Sequence, residues 1–273
     1  MRAPSPSPSP STPLPSPLRF CVLGPLRVLV DGKETPAGPP QQRAVLCALL
    51  LRPGRRASTH ALVDAVWGAD APALALGALR TYISRLRQSL EPERLPRGAA
   101  RVLVSGDFGY ALRLDPDAVD LTDFDRQVRG ADEARRAGRL EEARRSLVSA
   151  LELWRGEPLA GIPGPYAATQ RRHLSERRLT ALEARWEVEL ELGGHTSAIV
   201  GLGAVAVEHP VRERLQELLM TALYRAGRQA EALEVYARTR KALVAEMGPS
   251  RAPPSPASSG ASWPARNRPP TDV

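Results

Sequence analysis

The sequence predicts a mainly α-helical protein with a small β component, divided into two folded parts. Between residues 18 and 115, short runs of β-forming residues frame three helical patterns. Residues 116–248 are almost wholly helical in pattern and repeat a short helix–turn–helix motif. Proline- and serine-rich stretches at 1–17 and 249–273 flank these parts and are predicted to be disordered tails.

Composition excludes several classes of protein. The chain has 273 residues, of which 42% are hydrophobic, and only two cysteines. It contains no apolar run near the roughly 18 residues that a membrane span requires. A disulfide-stapled mini-protein, a membrane protein and a cysteine-built zinc module are therefore excluded. Because no export signal is visible near the start, we expect a cytoplasmic protein, associated with the nucleoid if it binds DNA.

Charge is divided unevenly along the chain, whose net charge is +8. Residues 18–115 hold 14 basic and 8 acidic side chains, whereas residues 116–248 hold 20 basic and 21 acidic ones. An excess of positive charge favours contact with a polyanion. We therefore expect the first part to contact nucleic acid and the nearly neutral second part to contact protein.

The first part begins with β structure and continues with two helices. Two β-rich runs, 20–23 and 26–30, are followed by Asp31-Gly32, a pair typical of tight hairpin turns. Residues 41–51 form the first helical stretch without a breaker. Ser58 and Thr59 are predicted to cap a second helix over residues 60–66.

The third helical pattern, residues 74–90, has one apolar and one basic face. Its apolar residues recur at helical spacing, and no carboxylate occurs among these 17 residues. Arginine can hold guanine or phosphate, glutamine can read adenine, and serine and threonine can bond to either. An ordinary arginine-rich surface remains an alternative, since the chain has 36 arginines and 2 lysines. The polar face carries Arg80, Thr81, Ser84, Arg85, Arg87 and Gln88.

Residues 101–114 read as a strand, a glycine-containing turn and a second strand, which predicts a β-hairpin. A sheet, three helices and a terminal hairpin together make a winged helix-turn-helix. In that fold the third helix enters the major groove of DNA, and the hairpin reaches the backbone or the minor groove.

The second part contains a repeated sequence motif. The motif RAGRLEEA at residues 136–143 recurs as RAGRQAEA at residues 225–232, with a weaker copy at residues 192–198. Each copy places glycine at a helix end and alanine inside the next helix, as tetratricopeptide-like hairpins do. A long helix over residues 167–192 is expected between the outer hairpins. A helical bundle that serves only stability remains an alternative.

Residues 18–115 resemble the OmpR/PhoB-type winged-helix DNA-binding domain through LRTYISRLR at 79–87 and GYAL at 109–112. The runs LGPLRV at 23–28 and LVDAVWG at 62–68 are similar to the version in the Streptomyces antibiotic regulatory protein (SARP) family. By this resemblance the best DNA-contact candidates are Thr81, Arg85 and Arg87, followed by Tyr82, Ser84 and Gln88, with Arg80 beside them. Asp107 stands where a basic wing tip is expected, so the phosphate contact of the wing is assigned to Arg101 or Arg113.

Residues 116–248 resemble the bacterial transcriptional activator domain that follows the winged helix in that family. The resemblance rests on VDLTDFD at 119–125, ALELWRG at 150–156, EHPVRERL at 208–215 and LMTALYRAGR at 219–228. It implies an activator that binds direct repeats in promoter DNA as a homodimer and recruits RNA polymerase holoenzyme. The implied targets are the genes of an antibiotic biosynthetic cluster.

Catalytic and metal-binding motifs are not found in the sequence. There is no phosphate-binding P-loop motif, and the four histidines are scattered. Asp120, Asp123 and Asp125 lack the glycine and closing glutamate of a calcium loop and are predicted to cap or solvate a helix start. We therefore predict a non-enzyme without a cofactor or metal. The alternative function is a helical-repeat adaptor whose winged helix binds protein rather than DNA. A hydrolase is a third and weaker alternative.

Overall fold

A computed structural model of the protein describes residues 18–95, 98–106 and 109–247. The described residues divide into two compact units, one ending at Ala198 and the other beginning at Ile199. The predicted disordered tails and the predicted wing-tip residue Asp107 lie outside the described residues.

The first sheet consists of three antiparallel strands, β1 (Leu18–Cys21), β2 (Arg27–Val30) and β3 (Lys33–Thr35), in that order. Asp31 and Gly32 connect β2 to β3 with φ angles of 52° and 74°. Two successive positive φ angles match the right-handed twist of a hairpin, and an Asp-Gly pair adopts them readily. The predicted tight turn is confirmed.

Three helices follow, as predicted: α1 (Pro40–Leu50), α2 (Thr59–Trp67) and α3 (Ala75–Leu90). The Ser58 hydroxyl accepts a hydrogen bond from the Ala61 amide at 3.1 Å, which caps the start of α2. The apolar stripe of α3 is buried against the core, with each side chain at most 3% exposed; these residues are Leu79, Ile83, Leu86 and Leu90.

A second sheet completes the winged helix-turn-helix. The hairpin strands β5 (Leu103–Gly106) and β6 (Gly109–Leu112) pair antiparallel, and β4 (Arg56–Ser58) joins the free edge of β6. The predicted hairpin is thus confirmed, whereas β4 was not predicted. The strand order β4-β6-β5 places β5 at the other edge of this sheet.

The rest of the described chain is helical. In the unit that ends at Ala198, α4 (Asp120–Arg136) and α5 (Leu140–Glu152) precede the long α6 (Pro165–Glu191). Helix α7 (His195–Glu208) follows, and α8 (Glu213–Arg225) and α9 (Gln229–Met247) form a hairpin of the other unit.

In the structure, the repeated sequence motif forms the same helix C-terminus three times. Gly138, Gly193 and Gly227 follow α4, α6 and α8 with φ angles of 73°, 82° and 78°. In each case the residue after the glycine donates its amide to the carbonyl five positions earlier. This is the Schellman motif, in which a left-handed glycine satisfies the last carbonyls of a helix.

One hydrophobic core extends from the winged helix into helices α4–α6. Phe20 of β1, Leu46 of α1 and Leu79 of α3 belong to the same buried cluster as Phe124 of α4 and Trp154 after α5. Phe124 and Trp154 meet edge to face with their ring centroids 5.3 Å apart. The winged helix and helices α4–α6 therefore pack as one body.

Asp120 connects the start of α4 to the first sheet. Its carboxylate accepts hydrogen bonds from the Val22 amide at 2.9 Å and the Leu23 amide at 3.3 Å. Burial raises the pKa of Asp120, and these backbone donors partly offset the increase. Besides beginning a helix, as predicted, Asp120 therefore ties α4 to the turn after β1.

Replacing Asp120 with alanine is expected to lower the free energy of unfolding by about 1–3 kcal/mol, because two part-buried amides lose their acceptor. Chemical denaturation of the full chain measures the change. Asp132→Ala is the control, since Asp132 pairs with the exposed Arg136 on its own helix. A loss at Asp120 no larger than at Asp132 would contradict this role.

Candidate nucleic-acid interface

The outward face of α3 is a continuous polar stripe. Five of the predicted contact residues are exposed on it at helical spacing: Arg80, Thr81, Ser84, Arg85 and Gln88. Gly77 extends the stripe one turn toward the helix start, and a side chain there would meet no atom within 4 Å. The opposite face is buried, so this stripe is the side of α3 that a ligand can reach.

Thr81 and Tyr82 differ in the groups that they leave available to a binding partner. The Thr81 hydroxyl donates to the Gly77 carbonyl at 3.1 Å, which leaves its methyl group and oxygen lone pairs for a partner. Tyr82 is half-buried and stacks on Trp67 of α2, with ring centroids 6.4 Å apart. Tyr82 therefore lies beside the stripe and links α3 to α2.

Arg87 is held by the wing. Its Nε donates to the Leu103 carbonyl at 2.8 Å, and its Nη2 donates to the Ser105 hydroxyl at 2.7 Å. The guanidinium also lies over the Tyr110 ring, 6.0 Å from its centroid. Three residues of the hairpin thus hold Arg87 at the junction of α3 with the wing, while its remaining N–H groups stay available.

The two arginines predicted to contact phosphate lie on the hairpin and next to it. Arg101 is exposed, and its backbone amide donates to the buried carboxylate of Glu91 at 2.7 Å. Arg113 follows β6 and is also exposed. Alternation along β6 places Arg113 on the face of Ala111 and its partner Arg56, opposite the face where Tyr110 meets Arg87.

Sequence reasoning did not identify Arg55 and Arg56. Both precede α2, and Arg55 has a φ of 51°, which is uncommon for a residue other than glycine. With Arg113 they border open depressions beside the second sheet. The run of arginines at 52, 55 and 56 was a visible signal, but their placement beside β6 depends on the unpredicted strand β4.

The two parts of the described chain differ in how many of their arginines form ion pairs. Most carboxylates of α4 and α5 hold arginines, as in Arg126–Asp123 and Arg139–Glu142. In the winged helix, the described residues show ion pairs only at Arg19 and Arg27. Uncompensated arginines create a positive potential that attracts polyanions. Those without a carboxylate partner among the described residues include Arg55, Arg56, Arg80, Arg85, Arg87, Arg101 and Arg113.

No group of three or more metal-ligating side chains is placed to hold an ion within the described ranges. Of the helices described there, none is long and apolar enough to cross a membrane. Burial raises the pKa of the Cys47 thiol to about 12, so this core cysteine is protonated at neutral pH.

Two family profiles match the chain. The profile described as "Transcriptional regulatory protein, C terminal" matches residues 33–112, which hold α1–α3 and the wing. The profile described as "Bacterial transcriptional activator domain" matches residues 119–256. The two matches fall on either side of the boundary predicted at residues 115 and 116.

Several curated proteins are similar to the chain over most of its length. The regulatory protein AfsR of Streptomyces coelicolor is 53% identical over 85% of the chain, and that of Streptomyces griseus is 48% identical over 91%. The chain spans about a quarter of the length of these two relatives, 23% and 25%. The regulatory protein DnrI of Streptomyces peucetius is 36% identical over 85% of the chain and 86% of its own length.

A solved structure shares the fold. The structure described as Mycobacterium tuberculosis EmbR in complex with low affinity phosphopeptide superposes with a TM-score of 0.79 at 35% identity. The match covers 85% of this chain and 61% of that one. With an OmpR/PhoB-type winged helix followed by a bacterial transcriptional activator domain, and with these relatives, the chain belongs to the SARP family of transcriptional regulators.

Proposed function

We propose that the protein is a sequence-specific DNA-binding activator whose α3 reads the major groove. The observation that carries the proposal is the exposed stripe of α3, in which Arg80 and Arg85 have no carboxylate partner among the described residues. An arginine in this position can hold guanine through two hydrogen bonds. Thr81 adds a methyl group and an acceptor, and Gln88 can read adenine.

The remaining unpaired arginines suit the sugar–phosphate backbone. Arg101 and Arg113 lie at the hairpin, and Arg55 and Arg56 lie beside it on β4 or just before it. Contacts to phosphate fix the register of a protein on the duplex without reading sequence. We therefore propose that α3 supplies base contacts and that these arginines supply phosphate contacts.

Family membership supports the further details. We propose that two protomers bind direct repeats head to tail, spaced near one helical turn of about 10–11 base pairs, in promoter DNA. The proposed targets are genes of an antibiotic biosynthetic cluster, and the proposed location is the nucleoid in the cytoplasm. We also propose that residues 18–115 serve DNA binding and residues 116–248 serve activation.

For the second part, the proposed partner is RNA polymerase holoenzyme. Helices α8 and α9 expose large apolar side chains, with Tyr224 67% and Leu233 69% exposed. Aromatic and aliphatic anchors of this kind are typical of protein contact sites. The nearly neutral charge of residues 116–248 also favours a protein partner over nucleic acid.

A mobility-shift titration tests the proposal. The full chain is titrated into promoter fragments from its own genomic neighbourhood and into shuffled fragments of the same composition. The proposal predicts a shift with the promoter at protein concentrations at least about a thousandfold lower than with shuffled DNA. An equal response to both, or none at all, would favour a protein-binding adaptor instead.

Arg87 has a separate expected role, which is to position the wing. Replacing it with alanine removes both hydrogen bonds to β5 and is expected to weaken binding to every operator variant alike, by about fivefold. Faster amide exchange in β5 should accompany the loss. A selective loss at one base pair, measured with a panel of single-base operator variants, would instead make Arg87 a base contact.

A further inference from the structure

The segment between α5 and α6, residues 153–164, touches the winged helix at two places. The first is the turn between β1 and β2. The Arg155 amide donates to the Leu23 carbonyl at 2.9 Å, and the Leu159 amide donates to the Gly24 carbonyl at 2.7 Å. A β-carbon on Gly24 would lie 2.7 Å from the Arg155 carbonyl oxygen. The two backbones are therefore in direct contact.

The second place is the last turn of α2. A β-carbon on Gly164, the residue before α6, would lie 2.7 Å from the Ala65 carbonyl oxygen and 2.6 Å from that of Val66. Both neighbours are backbone atoms of a helix, so neither can rotate away. Helix α6 therefore begins where only a glycine leaves room for α2.

A contact on the next residues reinforces this junction. The Arg52 guanidinium lies over the Tyr166 ring of α6, 4.8 Å from its centroid. The same guanidinium donates to the Ala61 carbonyl of α2 at 3.0 Å. The start of α6 is thus held to the first turn of α2 as well as to its last.

Helix α2 in turn supports α3. Leu62 and Val66 of α2 lie in the same buried cluster as Leu79 and Ile83 of α3. At its end, Trp67 stacks on Tyr82 of α3. Close-packed interiors transmit displacements, because they contain little empty volume to absorb them. A shift of the last turn of α2 must therefore move α3.

We propose that Gly164 is a positioning residue for DNA recognition. By letting α6 lie against the last turn of α2, it holds the α3 stripe at the angle that base contacts require. Binding sites need their groups placed to within about 0.5 Å. The proposal rests on the proposed function and adds that residues outside the winged helix determine how well α3 reads DNA.

The chain offers a matched control for the test. Gly156 lies in the same segment with a φ of 100°, against 98° at Gly164, but a β-carbon there meets no atom within 4 Å. Alanine at either position therefore adopts a positive φ that side-chain-bearing residues avoid. Only Gly164→Ala also forces α6 and α2 apart.

The experiment measures the affinity of the full-length Gly164→Ala and Gly156→Ala variants for promoter DNA and for shuffled DNA. It also measures the amide exchange of each variant without DNA. Gly164→Ala should bind the promoter about tenfold more weakly than Gly156→Ala, the size of one lost base contact. Affinity for shuffled DNA should differ less, since phosphate contacts tolerate small displacements. Amides of α2 and α3 should exchange faster in Gly164→Ala alone.

Equal promoter affinity and equal exchange in the two variants would overturn the proposal. If Gly164→Ala does not fold, Tyr166→Ala replaces it, because this change loosens the same junction without a clash. Tyr166→Ala is expected to lower promoter affinity about threefold. An unchanged promoter affinity would also overturn the proposal. If the wild-type chain does not bind DNA, the proposed function fails, while exchange in α2 and α3 still shows whether Gly164 holds these helices in place.

Discussion

Replacing both Arg80 and Arg85 with alanine is expected to reduce promoter affinity by about 30- to 20,000-fold while leaving the fold intact. Each arginine is exposed on the α3 stripe, and losing a bidentate base contact costs about 1–3 kcal/mol. Stability should change by less than about 0.5 kcal/mol, because neither side chain is buried. Promoter affinity measured beside thermal unfolding separates the two effects.

The matched control removes two arginines from another helix. Arg238 and Arg240 are exposed on α9, so their double replacement lowers the net charge by the same amount. If both double variants lose affinity equally, general electrostatic attraction accounts for the effect, and α3 is not the reading helix. A loss shared equally by promoter and shuffled DNA would reassign Arg80 and Arg85 to phosphate.

Replacing Phe124 with alanine is expected to lower the free energy of unfolding by about 3–5 kcal/mol, because the residue is 2% exposed in the shared core. The change also removes the edge-to-face contact with Trp154. Since β1, α1 and α3 share this core, the winged helix should lose stability together with α4. Chemical denaturation gives the magnitude, and amide exchange of α1 reports on the winged helix.

Phe124→Leu is the control, because it keeps most of the buried volume and should cost less than about 1.5 kcal/mol. Two separate unfolding transitions, with unchanged exchange in α1, would show that the winged helix is stable without α4–α6. The continuity of the core would then have no energetic consequence.

The elements that local sequence determines could be predicted. The spacing of Leu79, Ile83, Leu86 and Leu90 specifies one buried face, and that face alone predicts both the helix and its exposed stripe. The positive φ angles at the ends of α4, α6 and α8 follow from glycines in a repeated motif. Such patterns require no knowledge of distant residues.

Contacts between distant residues could not be predicted in the same way. Strand β4 has three residues and exists because β6 pairs with it about fifty positions later. Arg87 was predicted as a DNA contact from its place on a basic helix and from the family resemblance, and no local pattern indicated that Leu103 and Ser105 hold it. Asp120 accepts from amides 97 and 98 positions away, a partnership that no local pattern indicates.

The salt dependence of promoter affinity tests the central claim most directly. If the unpaired arginines around α3 contact about six phosphates, the logarithm of affinity should fall with the logarithm of salt concentration at a slope of about −5. The Arg80 and Arg85 double variant should distinguish promoter from shuffled DNA less than the wild type does. An affinity that does not change with salt would contradict the placement of the arginine stripe of α3 in duplex DNA.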